Sequence, residues 1–148
     1  MRCALPALSL LLFTGCMAPQ LDTKTALTWL DSADQAPAID VGGHWESVRP
    51  FMAGGWGSGD WVQSGARVMG SLGLYNVEGR VSGRKLYLVL SSMRRVHYTA
   101  VLEPAADGSL QGLATGKALP DSPESRTAEH CPMALQRSQG EVQANQKP

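Results

Sequence analysis

The chain has 148 residues, of which 43% are hydrophobic, which is enough for one domain with a real core. Its 13 basic and 13 acidic residues give a net charge of zero. The composition therefore shows no basic excess of the kind that attracts nucleic acid or an anionic lipid surface, and we expect no nucleic-acid partner.

The first residues have the layout of a bacterial secretory signal. Arg2 precedes an almost wholly apolar run, residues 4–13, and small residues then lead to Cys16. The run is about half as long as a membrane-spanning helix, which requires roughly 20 residues, so it does not predict a permanent span. Ordinary cleavage after Ala18, without lipidation, is the alternative that these residues leave open.

The segment Phe13-Thr14-Gly15-Cys16 resembles the lipobox of bacterial lipoproteins, with Phe13 where that family usually has Leu. The resemblance implies that residues 1–15 are removed as a lipoprotein signal peptide. Cys16 then becomes the first mature residue and carries diacylglyceryl and palmitate chains, which together anchor a protein stably. Because Met17 follows the cysteine in place of Asp, the resemblance implies a location in the cell envelope, on the outer membrane facing the periplasm.

Cys131 is the third of the three cysteines in the chain. Cys3 lies in the signal and Cys16 in the anchor, so Cys131 has no partner for an internal disulfide. We expect a small buried side chain, since free cysteine is among the most buried residue types. A disulfide to another chain is the alternative.

Residues 16–39 are predicted to form a lipid-anchored tether followed by a short helix. Ala26, Leu27 and Leu30 recur at helical spacing within residues 23–33. Asp22 or Thr23 is suited to cap the start of this helix.

Residues 40–137 are predicted to form a β domain. Short alternating segments separated by glycines run from Asp40 to Gly116, as is typical of an antiparallel meander, and residues 133–137 supply a closing strand. Residues 85–90 carry apolar side chains on both faces, which predicts a strand covered on both sides. Residues 138–148 are polar and are predicted to be a disordered tail.

The tripeptide Gly43-His44-Trp45 resembles the Gly-x-Trp opening of the calycins, the lipocalins and avidins. The resemblance implies that Trp45 packs across the base of a barrel. We therefore predict an all-β fold, a calycin-like barrel or half-barrel of about seven short strands with one short N-terminal helix. True lipocalins need eight longer strands to enclose a sizeable cavity, so a filled barrel or half-barrel is easier to build here than one with a lipid-sized pocket.

Five aromatic residues are the candidates for binding a ligand. Aromatic rings line many ligand cavities, but they also form ordinary cores. Trp56 lies among glycines and is expected to be an exposed contact residue. The candidates are Trp45, Trp56, Trp61, Tyr75 and Tyr87.

No residue pattern predicts catalysis, a metal or a cofactor. The histidines lack the spacing of a zinc site, and no Gly-x-Ser-x-Gly motif is present. We interpret Glu46, Asp60 and Glu78 as solvated surface carboxylates. Arg84-Lys85 and Arg94-Arg95 are also interpreted as solvated turn residues, with a combined basic docking point for anionic headgroups as the alternative.

The sequence thus predicts a non-catalytic, lipid-anchored envelope lipoprotein that binds a small ligand or a protein partner near the membrane. A purely structural or protein-interaction module with a filled barrel is the first alternative. A hydrolase is the second.

Overall fold

The computed structural model describes residues 20–48 and 55–138. The predicted signal peptide, Cys16 and residues 139–148 of the predicted tail lie outside the described residues. The described elements are helix α1 (Thr23–Asp31), strands β1 (Gly43–Ser47), β2 (Ser58–Ser64), β3 (Arg67–Leu72), β4 (Tyr75–Ser82), β5 (Lys85–Ser92), β6 (Arg95–Pro104) and β7 (Leu110–Gly116), a 3₁₀ helix (Pro123–Thr127) and strand β8 (His130–Arg137).

The strands form one closed antiparallel barrel. Each strand pairs with the next one along the chain, and β1 pairs with β8 to close the sheet. The predicted all-β meander with one short helix is confirmed, and the barrel has eight strands where the sequence indicated about seven. Closure leaves no open sheet edge, which removes the usual route to edge-to-edge aggregation.

Helix α1 begins at an aspartate cap and packs on the outside of the barrel. The Asp22 carboxylate accepts a hydrogen bond from the Thr25 N–H (3.0 Å) and another from the Thr25 hydroxyl (2.6 Å), which satisfies one free donor of the first turn. These bonds hold the pKa of Asp22 below its usual value. Ala26 and Leu30 are buried against Val89 of β5 and Val96 of β6.

The barrel interior is filled with side chains. Strand β5 forms the part of the barrel wall beneath α1, with Leu86, Leu88 and Leu90 fully buried inside and Val89 outside against the helix. The prediction that this strand is covered on both faces is therefore confirmed. The other interior side chains include Val41, Val68, Leu72, Val77, Val81, Ala100, Leu102, Leu110, Ala114, Cys131, Met133 and Leu135.

A bulge in β6 changes the face on which its first residues lie. Leu90 pairs with Tyr98, but Ser91 pairs with Val96, so β6 has one extra residue at His97. Val96 consequently packs outside against α1, whereas Tyr98 packs inside. Simple alternation along a strand would place these two residues on the same face, and the bulge separates them.

The barrel has two distinct ends. The base contains the start of β1 and the β2–β3 and β4–β5 turns. The opposite end, here called the mouth, contains the β3–β4 and β5–β6 turns, Trp56 and the connection from Gly116 to His130.

Candidate functional site

Trp45 and Trp61 belong to the core at and above the base. Both are 2% exposed, and their rings pack at a centroid distance of 5.6 Å. The Trp45 indole N–H donates to the carbonyl oxygen of Val41 (2.8 Å), and the Arg137 guanidinium lies 5.0 Å from the Trp45 ring centroid. Trp45 therefore lies across the base, which is the position that the calycin resemblance implied.

Trp56 is buried at the mouth, and the expectation that it would be exposed was wrong. It is 2% exposed, and its indole N–H donates to the carbonyl oxygen of Pro132 (3.0 Å). Gly55 and Gly57 on either side have φ values of 61° and 81°, a region that glycine enters without strain. These two residues turn the chain so that the ring packs inward instead of toward solvent.

The aromatic side chains at the mouth form one connected cluster. Trp56 meets Tyr98 edge-to-face at 5.1 Å and lies 6.4 Å from Tyr75. Tyr75 also meets Tyr98 edge-to-face at 5.9 Å and lies 5.7 Å from the His97 ring. These separations lie within the range in which aromatic pairs attract, so the cluster is a rigid platform.

A pocket of about 370 Å³ opens above this platform. Tyr75, Tyr98 and His97 line one side of it, and the β7–β8 connection supplies polar groups on the other side, including Lys117, Glu124 and Glu129. The volume lies at the small end of the range for ligand sites, about 300–1,000 Å³.

The β7–β8 connection is held against β6 by specific bonds. The Lys117 N–H donates to the His97 carbonyl (2.9 Å), and the buried Thr99 hydroxyl donates to the Ala118 carbonyl (2.7 Å). Lys117 adopts a φ of 53°, an unusual value for a residue other than glycine. These bonds hold the start of the connection, residues 117–118, against β6.

Two titratable groups at the mouth are held in their neutral forms. Burial, reinforced by the nearby Glu129 carboxylate, raises the pKa of Tyr98 to about 12. The Tyr98 hydroxyl donates to Glu129 Oε2 at 3.4 Å. Beneath them Cys131 is 1% exposed, as predicted, and burial raises the pKa of its thiol to about 11. The thiol is therefore a poor nucleophile.

His97 also contacts a hydroxyl group, but the arrangement does not form a nucleophilic site. Its Nε2 lies 2.8 Å from Ser92 Oγ, the separation of a base from a nucleophile. Ser92 does not line the pocket, however. Among the hydrogen bonds of the described residues, no carboxylate orients the other ring nitrogen of His97.

Tyr87 lies apart from the mouth. Its ring packs edge-to-face on Trp29 of α1 at 5.5 Å, on the outside of the barrel. Of the five aromatic candidates, Tyr75 alone lines the pocket, and Trp56 is buried in the aromatic cluster next to it. The other three support the core or the helix.

The predicted surface carboxylates lie outside the barrel. Asp60 Oδ1 is 2.8 Å from His44 Nδ1, and Glu46 Oε1 is 3.7 Å from His44 Nε2. All three side chains are at least 38% exposed, so the pairs have little energetic weight. Glu78 lies elsewhere, on a groove beside α1. Within residues 20–48 and 55–138, no cluster of His, Cys, Asp and Glu has the arrangement of a metal site.

The two basic turns lie at opposite ends of the barrel. Arg84-Lys85 begins β5 at the base, whereas Arg94-Arg95 follows β5 at the mouth. The alternative of one combined basic docking point was therefore wrong.

Sequence reasoning missed Tyr98, His97 and Glu129 as pocket residues. Tyr98 faces inward in register with Ala100 and Leu102, and its place at the mouth depends on the bulge that turns Val96 to the outside. Glu129 comes from a connection whose position depends on contacts distant in sequence.

Comparisons of the chain with protein-family models, with curated proteins and with solved structures find no match. In the part of the chain that the structure describes, no helix has both the length and the apolar character needed to cross a membrane.

Proposed function

We propose that this protein is a non-catalytic, lipid-anchored envelope lipoprotein that binds a small ligand in the mouth pocket. The lipobox-like segment ending at Cys16 supports the anchor and the location on the outer membrane, facing the periplasm. The pocket above Tyr75 and Tyr98 is the observation that carries the binding function.

The lining of the pocket indicates the class of ligand. Two tyrosine rings offer an apolar face, while Glu124 and Glu129 offer hydrogen-bond acceptors. The ligand we propose is a small molecule with one flat or apolar face and hydrogen-bond donors on its edge. The filled barrel interior excludes a long acyl chain as the ligand.

Native mass spectrometry of the protein, extracted gently from envelope membranes, tests the binding function. We expect a retained small molecule that is lost in Tyr75→Ala and reduced in Glu129→Gln. Tyr87→Phe is the matched control because Tyr87 lies outside the barrel. A wild-type protein that carries no small molecule, and takes none up from an envelope extract, would contradict ligand binding.

The anchor is tested separately in cells with labelled palmitate. We expect Cys16→Ser to lose the label and to leave the membrane fraction. Membrane association and labelling that persist in this variant would show that the anchor is assigned wrongly.

A protein-interaction module is the second candidate, and one observation favours it. Val62 and Met69 pair across β2 and β3 on the outside of the barrel, and they are 70% and 63% exposed. Crosslinking in intact envelopes, with Val62→Thr and Met69→Thr as test variants, distinguishes this function from ligand binding.

A further inference from the structure

Two large apolar side chains protrude from neighbouring turns at the mouth. Leu74, in the β3–β4 turn, is 91% exposed, and Met93, in the β5–β6 turn, is 94% exposed. Asn76 pairs with Ser91 at the mouth end of strands β4 and β5, so each of the two side chains lies two residues beyond this pair. We call these two side chains the apolar rim.

The backbone of the β5–β6 turn indicates that Met93 does not favour the conformation of this turn. The two-residue turns after β2, β3 and β4 each begin with a glycine of positive φ: Gly65, Gly73 and Gly83. Met93 and Arg94 instead have φ values of 47° and 62°. Asn-Gly would fit this turn with less strain, so the two side chains need another explanation.

The described chain begins close to the rim. The Gln20 side-chain amide donates to the carbonyl oxygen of Val96 (2.9 Å), at the start of β6. Cys16 precedes Gln20 by four residues. Four residues of extended chain span at most about 14 Å, so an acyl chain on Cys16 would hold the mouth near the membrane surface.

Positive charge flanks the rim. Arg94 and Arg95 are exposed, and neither forms an ion pair within residues 20–48 and 55–138. Arginines at a membrane surface attract anionic headgroups. The neutral net charge of the whole chain does not reveal this local arrangement.

We propose that the apolar rim inserts into the periplasmic leaflet of the membrane that carries the anchor, with Arg94 and Arg95 on anionic headgroups. The inference rests on the proposed lipid anchor. It goes beyond that anchor because it fixes an orientation, in which the mouth pocket faces the bilayer and the base faces away.

Photo-crosslinking to lipid tests the orientation on the mature lipidated protein. The protein is reconstituted in vesicles of phosphatidylethanolamine and phosphatidylglycerol that contain a diazirine-bearing phospholipid, and crosslinked peptides are mapped by mass spectrometry. We expect crosslinks at residues 73–74 and 93–94. The turns at 65–66 and 83–84, at the base, are the internal controls, and equal crosslinking at both ends would overturn the proposal.

A variant separates docking from folding. Leu74→Asn combined with Met93→Asn and Arg94→Gly removes the rim and relaxes the β5–β6 turn, so we expect the thermal midpoint to be retained. Crosslinking at the mouth should fall about tenfold or more. Burial of one Leu or Met side chain in the bilayer contributes about 1.5–3 kcal/mol, and a tenfold change corresponds to about 1.4 kcal/mol. An unchanged crosslinking yield in the folded variant would contradict the proposal.

The same preparation distinguishes a wrong anchor assignment from a wrong orientation. The intact mass of the purified protein reports whether Cys16 carries lipid. If it does not, a chain that begins at Cys16 is produced without the signal, coupled through Cys16 to a maleimide phospholipid, and the crosslinking is repeated. Crosslinks at the mouth then support the orientation even though the biological anchor is wrong.

Discussion

At the scale of single residues, Tyr98 belongs both to the aromatic platform and to the pocket. Its pKa of about 12 in the folded protein exceeds the ordinary tyrosine value of 10.0. Below pH 10 the phenol is neutral in both states. Between pH 10 and 12 only the unfolded chain releases this proton, so the free energy of unfolding falls as the pH rises through this window.

We therefore expect the unfolding midpoint in urea to fall more steeply with pH for the wild type than for Tyr98→Phe above pH 10. Glu129→Gln should lie between the two, since the carboxylate contributes to the raised pKa of Tyr98. The measurement is a series of urea titrations from neutral to alkaline pH. Parallel curves for the wild type and Tyr98→Phe would contradict the assignment.

Cys131 is expected to be unreactive while the protein is folded. Its thiol is 1% exposed with a pKa of about 11, and thiolate is the reacting form. Iodoacetamide at mildly alkaline pH should modify it slowly in buffer and rapidly in urea, as followed by mass spectrometry of the Cys131 peptide. Leu113→Cys, on the exposed face of β7, is the control, because an exposed cysteine should react with iodoacetamide in buffer and in urea alike. Equal rates with and without urea would show that the mouth opens freely.

Gly59 is expected to be intolerant of a side chain, because a Cβ there would collide with the carbonyl oxygen of Ser71. The collision is with backbone, so strands β2 and β3 would have to separate. We expect Gly59→Ala to cost about 1–3 kcal/mol of unfolding free energy, the usual range for overpacking. Gly42→Ala is the control, since its nearest neighbour is the flexible Asp40 side chain at 3.3 Å. Similar melting temperatures for the two variants would argue against the close approach.

At the scale of elements, α1 depends on its apolar face. Leu30 is 5% exposed and packs with Val89 and Val96. The carbonyl oxygen of Val96 also accepts a hydrogen bond from the Gln20 side chain near the mouth. Leu30→Ala should lower the unfolding free energy by about 2–5 kcal/mol. Thr28→Ala, on the exposed face, should have a small effect. Chemical denaturation followed by circular dichroism measures both, and an unaffected Leu30→Ala would mean that the helix is not docked.

Local sequence patterns predicted most of the elements. The helix, its aspartate cap, the doubly covered β5 strand and the closing β8 strand all follow from the spacing of apolar residues and from turn residues. The pocket could not be predicted from these local patterns. The β6 bulge and the inward turn of Trp56 are decided by pairing and packing with residues far along the chain, and no local pattern encodes them.

At the scale of the whole molecule, the mouth combines the features that bear on function. The pocket, the apolar rim and the start of the described chain all lie at this end, while Trp45 and Arg137 lie at the base. A ligand in the pocket would therefore be held at the membrane side of the domain, if the proposed anchor and orientation hold. The filled interior makes the barrel a rigid support for that end.

The β1–β8 seam is expected to be the first part of the barrel to open. It has three residue pairs, compared with seven between β5 and β6. Hydrogen exchange at the Val48 and Ser138 amides, which donate across the seam to Ala134 and His44, should be faster than at β5–β6 amides.

Arg137 reinforces this seam at the base. Its guanidinium donates to the Asp40 carbonyl (2.6 Å) and lies over the Trp45 ring, an interaction that contributes about 0.5–1 kcal/mol at exposed sites. Arg137→Ala should therefore speed exchange at the seam amides about two- to fivefold and leave β5–β6 amides unchanged. Arg126→Ala, in the 3₁₀ helix, is the matched charge control. Uniform acceleration across all strands would show that the barrel opens only as a whole.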